Sequence, residues 1–337
     1  MMTAIRSDLA SRLVGICGEP RVKRGHELGP MTTYRVGGAA DLFLDVADVD
    51  ELMQIAALDR DGLSIIMIGR GSNLLVADEG FRGLALRLGA GFDTTTITDD
   101  GIVIAGAARS LPLVARETVR AGLTGFEWAV GVPGSIGGAI RMNAGGHGSS
   151  MAESVVEAEI VDLNDGTRHT LSVDQLGFGY RTSIIAPHHC VVSATLRLAP
   201  GDPEQGSREL SEIVRWRRAH QPGGQNAGSV FTNPPNDSAG RLIDTAGCKG
   251  LRVGTAEVST KHANFIQADV GGSANDIYAL MHQVRERVLA EHGIDLDAET
   301  RLVGFGSVIQ TGPTIQSGAT IQSGATIQTD AALGGAS

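Results

Sequence analysis

Gly131-Val132-Pro133-Gly134-Ser135-Ile136-Gly137-Gly138-Ala139-Ile140, continued by Asn143-Ala144-Gly145-Gly146, is the stretch on which the fold turns. Pro133 fixes one φ while the glycines free their neighbours, which shapes a rigid loop. Ile136, Ala139 and Ile140 are then spaced to pack beneath a planar ring. A second glycine turn, Gly69-Arg70-Gly71-Ser72-Asn73-Leu74, follows the apolar run Ser64 to Ile68. It offers backbone N–H groups, a hydroxyl and an amide, the equipment of a pyrophosphate nest. It is not a Rossmann fingerprint, because Leu74 stands where the third glycine should be and Leu74-Leu75-Val76 reads as strand. No GxxxxGK[ST] occurs, which removes P-loop phosphoryl transfer. Taken singly, each cluster is equally explained by tight turns.

Outward from these turns the pattern is mixed. Asp41 to Val46 alternates as a strand, and Asp48 caps a helix carrying Val49, Leu52, Met53 and Ala56 on one face. Ser110 and Pro112 open a second helix that runs to about Ala121. Val155 to Leu163 and Thr167 to Val173, joined by Asn164-Asp165-Gly166, read as a β-hairpin, and Cys190 to Leu198 as another strand. Gly201 to Gly206 reads as a linker. Beyond it, Leu210, Ile213 and Val214 mark a helix and Ala239 to Ala246 a short one, with a strand over His262 to Gln267. Ser273 caps a long helix that ends at Gly293. The class is α+β with several subdomains.

Composition narrows the function. The 28 Lys+Arg against 38 Asp+Glu leave a formal net charge of -10, which repels polyphosphate backbones and argues against nucleic-acid binding. No apolar run approaches a bilayer span, and no export signal is read at the start, so membrane association is not expected and the cytoplasm is. Cys17, Cys190 and Cys248 are odd in number and lack CxxC spacing, which reads as reduced thiols with no disulfide frame and no metal site. The 46 glycines are about twice the average usage. In the tail, Ile309, Ile315, Ile321, Ile327 and Leu333 recur every six residues, a hexad of parallel β-helix type. Five hexads make fewer than two coils, so residues 307–337 read as a disordered or pinned extended tail, with oligomerisation through stacked coils as the alternative to a monomer.

Order makes the glycine turns specific. Thr33-Tyr34-Arg35-Val36-Gly37-Gly38, Gly69 to Leu75 and Gly131 to Gly138 are followed by Phe178-Gly179-Tyr180-Arg181. Asn226-Ala227-Gly228-Ser229-Val230-Phe231 with Asn233-Pro234, Leu251 to Gly254 and Glu299-Thr300-Arg301 complete the series. Over residues 25–305 this series resembles the UDP-N-acetylenolpyruvoylglucosamine reductase family. The resemblance implies the FAD-binding fold of the vanillyl-alcohol-oxidase (PCMH) type with a third, α+β substrate-binding domain. Residues 1–68 with 296–306 would form the first FAD-binding subdomain, 69–200 the second and 206–295 the third domain.

It also implies non-covalent FAD, NADPH as hydride donor and a UDP-sugar substrate. Tyr34, Gly69, Arg70, Gly71, Ser72, Asn73, Leu74, Gly131, Val132, Pro133, Gly134, Ser135, Gly137, Gly138 and Asn143 would then serve FAD. Arg181 would hold the substrate carboxylate with its planar fork, Glu299 would share a proton with it, and Ser229 would deliver a proton to the enolate. Read by residue type alone, these three are equally a surface ion pair, a solvated carboxylate and a satisfied hydroxyl. Tyr180 and Asn233 would line the pocket. Lys261 and His262 are candidate partners of the diphosphate or simple surface residues, while Arg215, Arg217 and Arg218 read as a solvated helix face. Two departures stand out: Thr232 replaces a common lysine, and the stretch from Arg181 to Leu198 is too short for a tyrosine-bearing loop over the substrate. The rival reading is another FAD oxidoreductase of the same fold acting on a small alcohol.

Overall fold

A computed structural model describes residues 2–58 and 62–305. The hexad tail lies outside the described residues. Helix α1 (Met2–Cys17), which the sequence reading did not anticipate, leads into a four-stranded sheet ordered Val22–Glu27, Ala39–Val46, Phe81–Leu88, Ser64–Met67. The last three strands are parallel and the first is an antiparallel edge. Leu42 and Leu44 face one core and Phe43 faces another, so this sheet is buried on both sides as parallel sheets usually are. Helix α2 (Val49–Ala56) is capped as expected: Asp48 accepts from the Glu51 N–H at 2.9 Å. Because Phe81–Leu88 belongs to this sheet, the first unit reaches past the boundary expected at residue 68.

The second sheet is antiparallel, in the order Arg168–Ser172, Val155–Asp162, His189–Arg197, Ile102–Gly106, Thr95–Ile97. Helices α3 (Leu111–Arg120) and α4 (Ile136–Met142) pack on it. The stretch expected to be a loop beneath a planar ring is thus partly helical. Ile136 and Ile140 are wholly buried in the subdomain's own core.

The expected linker is also helical. Helix α5 (Pro203–His220) starts inside it, capped by Asp202, with Pro203 at the position where its missing N–H costs nothing. Gly206 is there for packing: a Cβ on it would lie 2.8 Å from a Val119 methyl of α3.

The third unit holds α6 (Ala239–Thr245), α7 (Ala274–His292) and a three-stranded sheet of Arg252–Val253, Ala256–Val258 and Ile266–Ala268. The strand expected from His262 therefore begins only at Ile266. Before it, Phe265 N–H donates to the His262 carbonyl at 3.0 Å, which makes residues 262–265 a turn. Ile277, Leu280, Met281, Val284 and Val288 form the buried stripe of α7, worth about 1.5–3 kcal/mol for each side chain fully removed from water. Asp78 ties this unit to the first. Its carboxylate accepts from Ser273 Oγ at 2.6 Å and from the N–H groups of Ala274 and Asn275 at 2.9 and 3.0 Å, at the start of α7. Finally, Arg301–Val303 pairs in parallel with Leu74–Val76, which brings the chain's last described strand beside the first glycine turn.

Candidate active site

Two concavities adjoin. The larger, about 690 Å³, lies between the first two units and is lined by Gly69, Arg70, Ser135, Gly137, Gly138 and Arg141 among others. Its two glycine turns face one another closely. A Cβ on Gly69 would lie 2.8 Å from Ser135 Oγ, and one on Gly134 3.7 Å from Ser72 Oγ. Gly71 secures the first turn. Its φ is +62°, its carbonyl accepts from Thr33 N–H at 3.0 Å, and a Cβ would meet the Met31 carbonyl oxygen at 2.2 Å. Gly71→Ala should lose at least ~1–2 kcal/mol from the left-handed backbone alone. The check is a fall of several degrees in Tm together with flavin released on desalting; a variant with wild-type Tm and bound flavin would contradict this reading of the turn.

The smaller cleft, about 580 Å³, is lined by Met142, Tyr180, Arg181, Thr232, Asn233, Pro234, Pro235, Asp297, Ala298, Glu299 and Arg301. Arg181 and Glu299, 118 residues apart in the chain, meet here with Nε to Oε1 at 3.0 Å. Arg181 sits in a tight turn closed by reciprocal Gly179 and Thr182 backbone bonds of 3.0 and 3.3 Å, and its own φ is +55°. An arginine in the left-handed region costs about 1–3 kcal/mol and persists only where its surroundings hold it. They do: Nη2 donates to the Gly145 carbonyl at 3.2 Å, and the guanidinium lies over the Tyr180 ring at 5.3 Å. Asn143, at the left-handed end of α4, braces the turn by donating to the Gly179 carbonyl at 2.9 Å and accepting from Ala152 N–H at 3.0 Å.

Glu299 is fixed by its backbone. Its N–H donates to the Val230 carbonyl at 2.8 Å, and its carbonyl accepts from Asn73 Nδ2 at 3.0 Å. Ser229 precedes Val230, the residue that holds Glu299, but it lines neither concavity. It is half-buried, and its hydroxyl has no hydrogen-bond partner among the described residues. Asn264 clamps this segment through Phe231, donating to its carbonyl at 2.8 Å and accepting from its N–H at 3.0 Å.

Burial pushes the Glu299 carboxyl above its usual range, and Arg181 only partly offsets this. A carboxyl raised in the folded state contributes stability that is present at low pH and lost as pH rises through the raised value. The Tm of wild type relative to Glu299→Gln should therefore climb as pH falls through that interval. A pH-independent difference would contradict the raised carboxyl.

Several expected contacts lie elsewhere. Tyr34 is wholly buried in the core shared with Val230 and Phe231, and lines neither concavity. Gly131 packs under Ile213 and Arg217, so it makes room for α5 instead of a ligand. Val132 and Pro133 carry the chain from Gly131 to Gly134 and line neither concavity either. Arg217 itself is not on a solvated face: burial against Gly131 lowers its pKa. Asn73 and Leu74 serve the joint with residues 299–301, and Asn143 braces the Arg181 turn. Lys261 Nζ donates to the Arg218 carbonyl at 2.6 Å, and His262 turns inward against Phe265, so neither lines the cleft. Asn233 does line it, and its Oδ1 also accepts from Ala239 N–H at 3.0 Å. Residue type gave no cue to Asn264 or Arg141, and Asn143 was expected at the cofactor instead of at the Arg181 turn, because these roles depend on segments distant in sequence.

A glycine-walled cavity beside a cleft with a half-buried arginine–carboxyl pair fits a flavin-dependent oxidoreductase. Residues 40–172 match the family described as FAD binding domain, and residues 220–303 that of UDP-N-acetylenolpyruvoylglucosamine reductase, C-terminal domain. The chain belongs to the UDP-N-acetylenolpyruvoylglucosamine reductase family. It is 41% identical over 302 residues to UDP-N-acetylenolpyruvoylglucosamine reductase 2 of Symbiobacterium thermophilum, covering 88% of this chain and 97% of that one. It is 43% identical over 277 residues to the reductase of Heliobacterium modesticaldum, covering 81% of this chain and 88% of that one. The crystal structure of the Thermus caldophilus reductase superposes with a TM-score of 0.73 at 38% identity, covering 84% of this chain and 99% of that chain. The α+β class and the FAD-binding fold thus stand as expected. Among the described residues no helix is long and apolar enough to cross a membrane.

Proposed function

We propose that this protein uses NADPH and FAD to reduce UDP-N-acetylglucosamine enolpyruvate to UDP-N-acetylmuramate, a precursor of peptidoglycan. The observation that carries this is the Arg181–Glu299 pair at 3.0 Å, held in a cleft that adjoins the glycine-walled cavity. The facing turns at 69–72 and 134–138 fit a dinucleotide, since their walls approach too closely for side chains. The N–H groups of residues 69–72 have no backbone acceptor among the described residues, whereas those of Ile136 and Gly137 are taken by the carbonyls of Arg109 and Ala107. When bound there, FAD supplies a ring that takes hydride from NADPH and returns it to the vinyl carbon.

The protein's own residues do the rest. Addition of hydride moves negative charge onto the enolpyruvyl carboxylate, and Arg181 is positioned to hold that charge through a planar, charge-assisted pair. Glu299, raised toward its protonated form by burial, can donate to one carboxylate oxygen where an ionised carboxylate would repel it. The Ser229 hydroxyl gives a proton to the carbon next to the vinyl terminus. Atoms balance: NADPH and one proton are consumed for each lactyl ether formed. Tyr180, Thr232 and Asn233 line the cleft in which the substrate would sit. Arg181, Ser229 and Glu299 all come from one chain, so we read the monomer as the active unit. Its substrates are charged nucleotides that do not cross bilayers, which supports a cytoplasmic location.

Steady-state NADPH consumption tests this reading. It should require the enolpyruvyl nucleotide and be absent with UDP-N-acetylglucosamine. Consumption driven by a simple alcohol's aldehyde, with none from the enolpyruvyl nucleotide, would transfer the function to another flavoenzyme of this fold.

A further inference from the structure

Arg141, in the last turn of α4, lines the larger cavity. Its Nε is buried without a hydrogen-bond partner, and among the described residues no carboxylate pairs with its guanidinium. Arg301 lines the adjoining cleft, with Nη2 3.8 Å from the sulfur of Met142, the residue after Arg141. The consecutive residues Arg141 and Met142 thus line the cavity and the cleft respectively, and Arg301 lies close enough for its charge to act on Arg141. Burial and the charge of Arg301 both depress the Arg141 pKa, to about 10. Bringing like charges together away from water is unfavourable unless an electron-rich group settles beside them.

Position decides which group that is. Hydride has to pass between cavity and cleft, so the cofactor ring occupies the end of the cavity that meets the cleft, and Arg141 marks that end. The pyrophosphate is accounted for by the facing turns, and the substrate carboxylate by Arg181. We propose that Arg141, assisted by Arg301, is the cation that receives the negative charge of the flavin's N1–C2=O edge when the ring accepts hydride. The balance is simple. N5 gains one hydrogen and two electrons from NADPH, which leaves as its oxidised cation, and one negative charge spreads over N1 and O2 with no proton taken from solvent. When hydride leaves for the vinyl carbon, that charge disappears. Arg141 is thereby assigned the setting of the flavin's potential, a part of the reaction that neither Arg181 nor Ser229 serves.

This rests on the FAD reading above, but its test needs no enolpyruvyl nucleotide, so the two fail separately. The holoenzyme, Arg141→Met and Arg141→Lys would be reduced anaerobically against a reference dye and then titrated with acid in the reduced state. For Arg141→Met the midpoint should fall by about 30 mV, a tenfold change for a two-electron couple. The reduced flavin should also take its proton at a pH about one unit higher. Arg141→Lys should recover most of both shifts. Arg141→Gln gives the same reading if the methionine variant does not retain FAD. Unchanged midpoint and proton uptake in the charge-deleting variants would overturn the assignment. Weakened FAD binding with an unchanged midpoint would overturn it too, and would place Arg141 at the pyrophosphate.

Discussion

Ser229→Ala is expected to leave reduction of the flavin by NADPH at wild-type speed while slowing its reoxidation by the enolpyruvyl nucleotide roughly 10²–10⁴-fold, the usual worth of a positioned general acid. The asymmetry is the informative part. Ser229 lines neither the larger cavity nor the cleft, so removing its hydroxyl leaves the cofactor's walls intact. It precedes Val230, whose carbonyl holds the Glu299 N–H at 2.8 Å, so it shares the neighbourhood of the reacting carboxylate. A serine hydroxyl is a poor acid in water, but an enolate is strongly basic, and placement replaces acidity. Stopped-flow absorbance of each half-reaction measures the split. Equal slowing of both halves would mean that the residue shapes the segment and transfers no proton.

Arg181→Ala is expected to slow the same half-reaction by about 10²–10³-fold, the scale of losing one preorganised charge partner, and to raise the KM for the nucleotide. The structure adds a second consequence. Without the guanidinium, Glu299 loses the partner among the described residues that draws its pKa downward, so its carboxyl rises further. Arg181→Lys should recover little, because a lysine cannot engage both Glu299 and a substrate carboxylate with one planar fork. Loss of FAD in proportion to loss of rate would instead mark Arg181 as a brace for the Gly145 loop, to which it also donates.

Much of this was legible in the sequence, and the reason differs from place to place. Asp48, Ser273 and Gly293 announced helix ends because caps are local chemistry. The glycine turns and the Tyr180-Arg181 and Glu299-Thr300-Arg301 segments carried the family resemblance, which brought Arg181 and Glu299 to one cleft. Gly201 to Gly206 misled because Pro and Gly usually punctuate loops. Here Pro203 suits a helix start and Gly206 allows α5 to approach Val119. Tyr34 and Gly131 belong to the expected motifs but act through packing, which a motif does not distinguish from contact. Lys261 and His262 have the right chemistry but point away, a matter of the turn over residues 262–265. The clamps made by Asn264 within the third unit, by Asn143 within the second and by Asp78 between units depend on contacts that span up to 197 residues, beyond any local pattern.

The most direct measurement of the central claim is a visible spectrum of the purified protein, followed anaerobically by NADPH and then by the enolpyruvyl nucleotide. Flavin bands that bleach with NADPH and return with the nucleotide are the predicted result. A yellow protein that bleaches but ignores the nucleotide would contradict the assigned substrate. A colourless protein that cannot be reconstituted with FAD would contradict the reading of the two glycine turns.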